Sequence, residues 1–175
     1  ETISLPKYRA MYLDAELKDK HGFSSTKNKD FKALVRNMKT VEDNDFEVPD
    51  KLEGILREYQ KTGFLWMKTL KNNGFGGILA DDMGLGKTLQ VITFLQSEME
   101  DCEKLNKRCL IVSPASLVYN WLSELERFAP DLPVKVLAGN LNERKEILSN
   151  LQEKDIVVTS YDLLRRDIEL YQDIS

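Results

Sequence analysis

Apolar side chains recur at three- and four-residue intervals in two stretches of residues 1–50. Tyr8, Met11, Tyr12 and Ala15 make one stripe, and Phe31, Leu34, Val35 and Met38 make the other. Each predicts an amphipathic helix. Between them, His21-Gly22-Phe23-Ser24-Ser25-Thr26-Lys27-Asn28 is polar and reads as a loop. An acidic stretch, Glu42-Asp43-Asn44-Asp45-Phe46-Glu47, ends at Pro49 and reads as a solvated linker. Residues 1–50 are therefore expected to form a helical extension with an acidic linker, and residues 51–175 a separate domain.

From Leu52 the period alternates between helix and strand. Tyr59, Gly63, Trp66, Met67 and Leu70 share a helical face, which Asn73-Gly74 stops. Gly77–Ala80 is a first predicted strand and Leu89–Met99 a helix. Cys109-Leu110-Ile111-Val112 is a continuous apolar run of the kind buried in parallel sheets. Ser113-Pro114-Ala115-Ser116 is a turn, with Ser116 placed to cap the next helix. Leu117, Trp121, Leu125 and Phe128 then form a helical stripe ended by Pro130, and core packing is the simplest role for Trp121. Val134–Ala138, Leu141–Leu151 and Ile156–Thr159 continue as strand, helix, strand, and a last helix starts near Tyr161. Such βαβα alternation predicts an α/β fold, a parallel sheet covered by helices.

One loop in this rhythm carries chemistry. Asp81-Asp82-Met83-Gly84-Leu85-Gly86-Lys87-Thr88 lies between an apolar strand-like segment and a helix, the setting of a phosphate-binding loop. Gly84 and Gly86 let the backbone approach a pyrophosphate. The following helix aims its first N–H groups and positive dipole end at the phosphates. Lys87 can reach the β- and γ-phosphates, and the Thr88 hydroxyl can ligate Mg²⁺. Asp81 stands where the generic loop has its first glycine. Two further segments end strands with hydroxyls, Ser113-Pro114-Ala115-Ser116 and Thr159-Ser160-Tyr161, with Arg165 and Arg166 close behind the second. Groups at such strand ends can hold a nucleic-acid phosphate. Two arginines on a helix are otherwise an ordinary solvated face. Gln60 has an amide that can both donate to and accept from an adenine edge.

Bulk properties narrow the picture little. A chain of 175 residues, 42% hydrophobic and 31% charged, has the composition of one globular domain with a core, or a domain plus an appendage. The net charge of −4 gives nucleic-acid binding no support from composition, though it leaves room for a local basic surface. No apolar run approaches the roughly 20 residues that cross a bilayer, so no membrane partner is expected. Cys102 and Cys109 lack metal-ligand spacing and read as reduced thiols. His21 has no His or Cys partner nearby and reads as a surface residue. No secretory leader is visible, and the first residue, Glu1, suggests a piece of a longer protein.

Taken in order, Leu56-Arg57-x-Tyr59-Gln60, Ile78–Thr88, Ile111-Val112-Ser113-Pro114 with Trp121 and Glu124, and Val158-Thr159-Ser160-Tyr161 resemble the Swi/Snf-type branch of the superfamily-two helicase-like ATPases, of bacterial kind. The resemblance spans residues 52–170. It accounts for Asp81, which that family commonly carries, while Asp82 stands where the family usually has Glu. It implies the front part of a RecA-like motor lobe, preceded by a small helical extension. It also implies ATP and Mg²⁺ as cofactors, double-stranded DNA as partner of the intact protein, and a cytoplasmic, nucleoid-associated location. By resemblance Gln60 and Arg57 would serve the adenine, and Asp81, Asp82, Met83, Gly84, Leu85, Gly86, Lys87 and Thr88 the nucleotide phosphates and metal. Ser113, Pro114, Ser116, Thr159, Ser160 and Tyr161 would serve the DNA backbone.

No Asp-Glu-Ala-His-type pair follows Tyr161, so this chain alone is expected to bind nucleotide without turning it over. An incomplete sheet is expected to leave apolar edges that favour self-association. Two other readings stay open from the residues. One is a phosphate-loop kinase or nucleoside triphosphatase unrelated to DNA. The other is a non-catalytic nucleotide-sensing or protein-docking module.

Overall fold

The computed structural model describes residues 6, 9–19, 28–39, 45–101 and 108–172. Tyr8, His21 to Lys27, Glu42 to Asn44 and Cys102 lie outside them, and with them parts of the first stripe, the polar loop and the acidic linker. The chain forms two compact units. Residues 1–47 and 57–82 make the first, and residues 48–56 and 83–175 the second.

The first unit is helical: α1 (Ala10–Asp19), α2 (Lys29–Lys39) and α4 (Glu58–Asn72). Helix α2 packs against both α1 and α4. Phe64 is fully buried, with Val35, Leu70 and Asp14 nearly so. Asn28 caps the start of α2, its side-chain oxygen accepting from the Phe31 N–H at 2.8 Å. Helix α4 ends where Gly74 turns left-handed at φ 74°. The Phe75 N–H then reaches back to the Leu70 carbonyl and the Gly74 N–H to that of Lys71, both at 2.9 Å. That is the stop read from Asn73-Gly74. Gly77 lies against Trp66 and Leu70, where an added Cβ would sit 2.4 Å from Leu70 Cδ1.

The second unit holds α3 (Asp50–Glu53), α5 (Lys87–Asp101), β1 (Cys109–Ser113), α6 (Val118–Phe128), β2 (Val134–Val136), α7 (Leu141–Ser149), β3 (Ile156–Ser160) and α8 (Tyr161–Arg166). A 3-10 turn at Ala115–Leu117 leads into α6, and another at Ile168–Tyr171 follows α8. The three strands run parallel in the order β1-β3-β2. Strand β3 is central and all five of its residues are buried, the apolar Ile156, Val157 and Val158 and the hydrogen-bonded Thr159 and Ser160 alike. Its Ile156 and Val158 join Ile92, Leu95, Ile111, Val118 and Leu125 in a core beneath α5 and α6. Its Val157 faces the other way, onto Leu137, Leu148 and Leu151. Both faces of the sheet are thus covered, and Trp121 packs against the larger core as expected.

Two expectations change. Gly77–Ala80 is not a strand: the sheet has three strands among the described residues, and Ile78 is 85% exposed. Paired glycines weaken a strand, and this segment has no ladder to join. Ser116 does not cap α6. It lies inside the 3-10 turn, and Leu117 occupies the N-cap position without a side-chain hydrogen bond.

Candidate functional site

In the second unit, Met83-Gly84-Leu85-Gly86 turns directly into α5. Gly84 has φ 84° and Gly86 φ 74°, left-handed values that a side chain resists. An added Cβ on Gly84 would meet nothing within 4 Å, so the backbone there faces open space. The first helical hydrogen bond of α5 runs from the Gln90 N–H to the Gly86 carbonyl at 3.2 Å. The N–H groups of Lys87, Thr88 and Leu89 therefore precede the regular helical ladder, where a helix presents its donors and positive dipole end. Lys87 and Thr88 are the first two residues of α5, both half-buried. A left-handed glycine turn, a lysine and a hydroxyl on one helix start suit a polyphosphate with its divalent cation.

The other nucleotide candidates, Arg57, Gln60, Asp81 and Asp82, belong to the first unit. Gln60 is buried, and its Oε1 accepts from the Arg57 N–H at 2.9 Å. It therefore works as a helix cap that fixes its own side chain at the start of α4. Asp81 is half-buried, and Asp82 and Met83 are exposed.

Parallel pairing brings together the two hydroxyl-bearing strand ends that are far apart in sequence. Val112 lies opposite Thr159, and Ser113 opposite Ser160. Their hydroxyls, however, turn inward. Thr159 is fully buried and donates to the Leu137 carbonyl at 3.2 Å. Ser113 donates to the Pro114 carbonyl at 3.3 Å, and the Ser160 hydroxyl oxygen caps α8 by accepting from the Leu163 N–H at 3.3 Å. What this edge offers to solvent is Pro114, Ala115, Ser116 and Leu117 on one strand end, and Tyr161 at 60% exposure on the other. Arg165 follows one helical turn after Tyr161 on the same exposed face. It pairs loosely with Asp162 at 3.7 Å, a contact of small energetic weight at such exposure.

Sequence reasoning missed the most strongly coupled polar group in this unit. Arg144 of α7 and Asp167, just past α8, are 2% and 3% exposed and form a two-pronged ion pair, Nε to Oδ2 at 2.5 Å and Nη2 to Oδ1 at 2.9 Å. Arg144 Nη1 also donates to the Gly139 carbonyl at 2.6 Å. The hydrogen bond from Arg144 holds the Asp167 carboxyl below its ordinary range, and the same bond pushes Arg144 up. Arg144 sits four residues before Leu148, the other buried residue of α7, and so shares its inward face, which the mostly polar sequence of that helix does not announce.

A cavity of about 260 Å³ lies near the amino ends of β1 and β3 and is lined by Arg108, Cys109, Leu110, Leu148, Leu151, Val157 and Tyr171. It is mainly apolar. Burial pushes the Cys109 thiol up, which makes it a poor nucleophile. Among the described residues no group of three His, Cys, Asp or Glu is arranged to hold a metal, and no helix is long and apolar enough to cross a membrane.

Comparison with known proteins agrees with this geometry. Residues 59–175 match the SNF2-related domain, and residues 1–49 match the bacterial SNF2 helicase associated domain. A Mycoplasma pneumoniae protein named "Uncharacterized ATP-dependent helicase" is 39% identical over 171 residues, covering 96% of this chain and 16% of the relative. The Saccharomyces cerevisiae ISWI chromatin-remodeling complex ATPase ISW1 is 40% identical over 124 residues, covering 69% of this chain and 11% of its own. The chain thus spans less than a fifth of the length of these relatives. The Sulfolobus solfataricus SWI2/SNF2 ATPase core in complex with double-stranded DNA superposes with a TM-score of 0.57 at 39% identity, over 67% of this chain and 24% of that one. The parallel sheet with its flanking helices is therefore that of a SNF2 ATPase lobe, and the chain belongs to the SNF2-related family.

Proposed function

We propose that this chain is the ATP-binding front of a motor that hydrolyses ATP when engaged on double-stranded DNA and moves along the duplex. The observation that carries the reading is the pair of left-handed glycines feeding straight into α5, with Lys87 and Thr88 as its first residues. Lys87 would hold the β- and γ-phosphates, the first-turn N–H groups would line the pyrophosphate, and the Thr88 hydroxyl would ligate Mg²⁺. When bound, the metal neutralises charge on the phosphate oxygens. By resemblance, Gln60 and Arg57 are the candidates for the adenine, and Asp81 and Asp82 precede the loop in sequence.

The DNA reading is refined by the burial pattern. Backbone groups of Pro114 to Ser116, the Ser116 hydroxyl, and the exposed face of Tyr161 and Arg165 would meet the sugar-phosphate backbone. The buried Ser113, Thr159 and Ser160 would shape that edge from within. Contacts of this kind are tolerant of sequence and strongly weakened by salt. A cytoplasmic, nucleoid-associated location follows from the same reading. The β1 edge carries Leu110 at 43% exposure, which supports pairing with more of the motor or with a second copy.

Calorimetry with Mg-ATP on this chain and on its Lys87→Ala variant, each checked for folding, tests the nucleotide site. Binding that disappears with Lys87 is the expected result. Equal binding by both forms would refute the assignment. DNA-stimulated hydrolysis by this chain alone would refute the view that it supplies only part of the catalytic machinery.

A further inference from the structure

The network around Arg144 and Asp167 joins three pieces of the carboxyl edge of the sheet. Arg144 projects from the first turns of α7. Its Nη1 holds the carbonyl of Gly139, in the turn between β2 and α7, and its other two contacts hold Asp167 at the end of α8. Helix α8 is only six residues long, too short to be stable through its own hydrogen bonds. Its start is tied by the Ser160 cap and its end by Asp167. Beyond Asp167 the chain is held again, where Leu170 and Tyr171 pack against Leu137, Leu148, Leu151 and Val157. Thr159 holds the Leu137 carbonyl on the β2 side. Between these ties, Tyr161 and Arg165 face solvent.

We infer that the buried Arg144–Asp167 pair is a positioning pair that holds α8 in register with the turn after β2, so that Tyr161 and Arg165 present one fixed surface to the DNA backbone. This rests on the DNA reading above. A buried pair costs desolvation, and well-packed apolar side chains in its place are often as stable or more so. Stability alone therefore gives no reason for an arginine on the buried face of α7. A planar guanidinium with three directed contacts fixes geometry in a way that Leu or Met does not.

The test uses the intact protein, with DNA-stimulated ATP hydrolysis read as half-saturating DNA, half-saturating ATP and maximal rate. The informative variant is Arg144→Met/Asp167→Leu, which removes the pair without stranding a charge. A wild-type-like urea midpoint, with half-saturating DNA raised about five- to twentyfold and half-saturating ATP within about twofold, is expected, since only backbone contacts to DNA are loosened. Tyr161→Ala/Arg165→Ala is expected to raise half-saturating DNA without altering the urea midpoint. Should Tyr161→Ala/Arg165→Ala act while Arg144→Met/Asp167→Leu binds DNA as wild type, the positioning role is overturned and the DNA reading stands. Should Tyr161→Ala/Arg165→Ala leave DNA engagement unchanged, the DNA reading itself fails and the inference with it. If the apolar double variant does not fold, Arg144→Lys decides: charge is kept, the fork is lost, and half-saturating DNA should still rise. An unchanged value in Arg144→Lys overturns the proposal.

Discussion

Gly139 concentrates several of the forces that build the carboxyl edge, and replacing it with alanine separates them. Its φ of 83° lies in the left-handed region, where a Cβ costs about 1–2 kcal/mol. The added Cβ would also sit 2.0 Å from Glu143 Oε2. That oxygen is the far end of a flexible side chain, so it would swing away instead of forcing the backbone apart. In leaving, it gives up its hydrogen bond from the Asn140 N–H, 2.9 Å long, which is half of the capping box at the start of α7. The other half, Asn140 Oδ1 accepting from the Asn142 and Glu143 N–H groups, is untouched. Loss of half a cap costs about 0.5–1 kcal/mol, at the low end of measured caps. Gly139→Ala should therefore destabilise by about 1.5–3 kcal/mol, a drop in melting temperature of about 3–12 °C for a chain of this size. Gly54→Ala is the control, because Gly54 has an ordinary φ of −75° and nothing within 4 Å of a built Cβ. It should be neutral or slightly stabilising. Urea titration read by circular dichroism measures both. A double-mutant cycle with Glu143→Ala then divides the effect. With Glu143 already truncated, Gly139→Ala should cost only the backbone part, so the two changes fall short of additivity by about 0.5–1 kcal/mol. A Gly139→Ala variant as stable as Gly54→Ala would refute the backbone argument, and strict additivity would refute the displaced cap.

Leu125→Ala, at a fully buried site in the larger core, should cost about 2–5 kcal/mol, whereas Leu110→Ala on the open edge of β1 should cost under about 1 kcal/mol, and equal urea midpoints for the two would contradict the core assignment. The Asp167 carboxyl is held below its unfolded value of roughly 3.9, first by its hydrogen bond from Arg144, so its stabilisation is complete above that value and is lost as pH falls through the lower, folded one. Asp167→Asn should accordingly be less stable than wild type at pH 7, by about 3–5 kcal/mol for a broken buried pair, with the gap narrowing as pH is lowered toward 3; a gap independent of pH would contradict this.

The architecture was legible because period and punctuation agreed. The helical periods of α4 and α6, the stop at Asn73-Gly74, and the apolar runs of β1 and β3 each stated their element locally, although α4 buries Gln60, Phe64 and Lys68 and leaves Tyr59 exposed, and a strand–helix alternation leaves few alternatives to a parallel sheet. The glycine turn ahead of α5 was legible for the same reason, since Gly84 and Gly86 take the left-handed values such a turn requires and the helix starts at Lys87. What could not be read was which way side chains face at strand ends. Thr159 and Ser160 read as phosphate-contact candidates at a strand end, and the sequence does not say that a parallel central strand buries both and gives their hydrogen bonds to neighbouring segments. The Gly77–Ala80 strand failed because strand formation depends on a partner, which propensity does not encode. Arg144 escaped notice because its partner lies 23 residues away.

The strand order β1-β3-β2 also sets a timetable for synthesis. Among the described residues both outer strands pair with β3, which is made after them, and Cys109 must wait for Ile156, which follows it by 47 positions. At about 5–20 residues per second, ribosomal elongation leaves β1 without a ladder for about 2–10 s. For that interval Leu110, Ile111 and Val112 are an apolar segment with open backbone edges, held only by whatever α5 and α6 can cover. Substitutions that weaken α6 should thus lower the yield of folded protein in the cell more than their equilibrium cost implies, because they act while the sheet is still waiting for its centre.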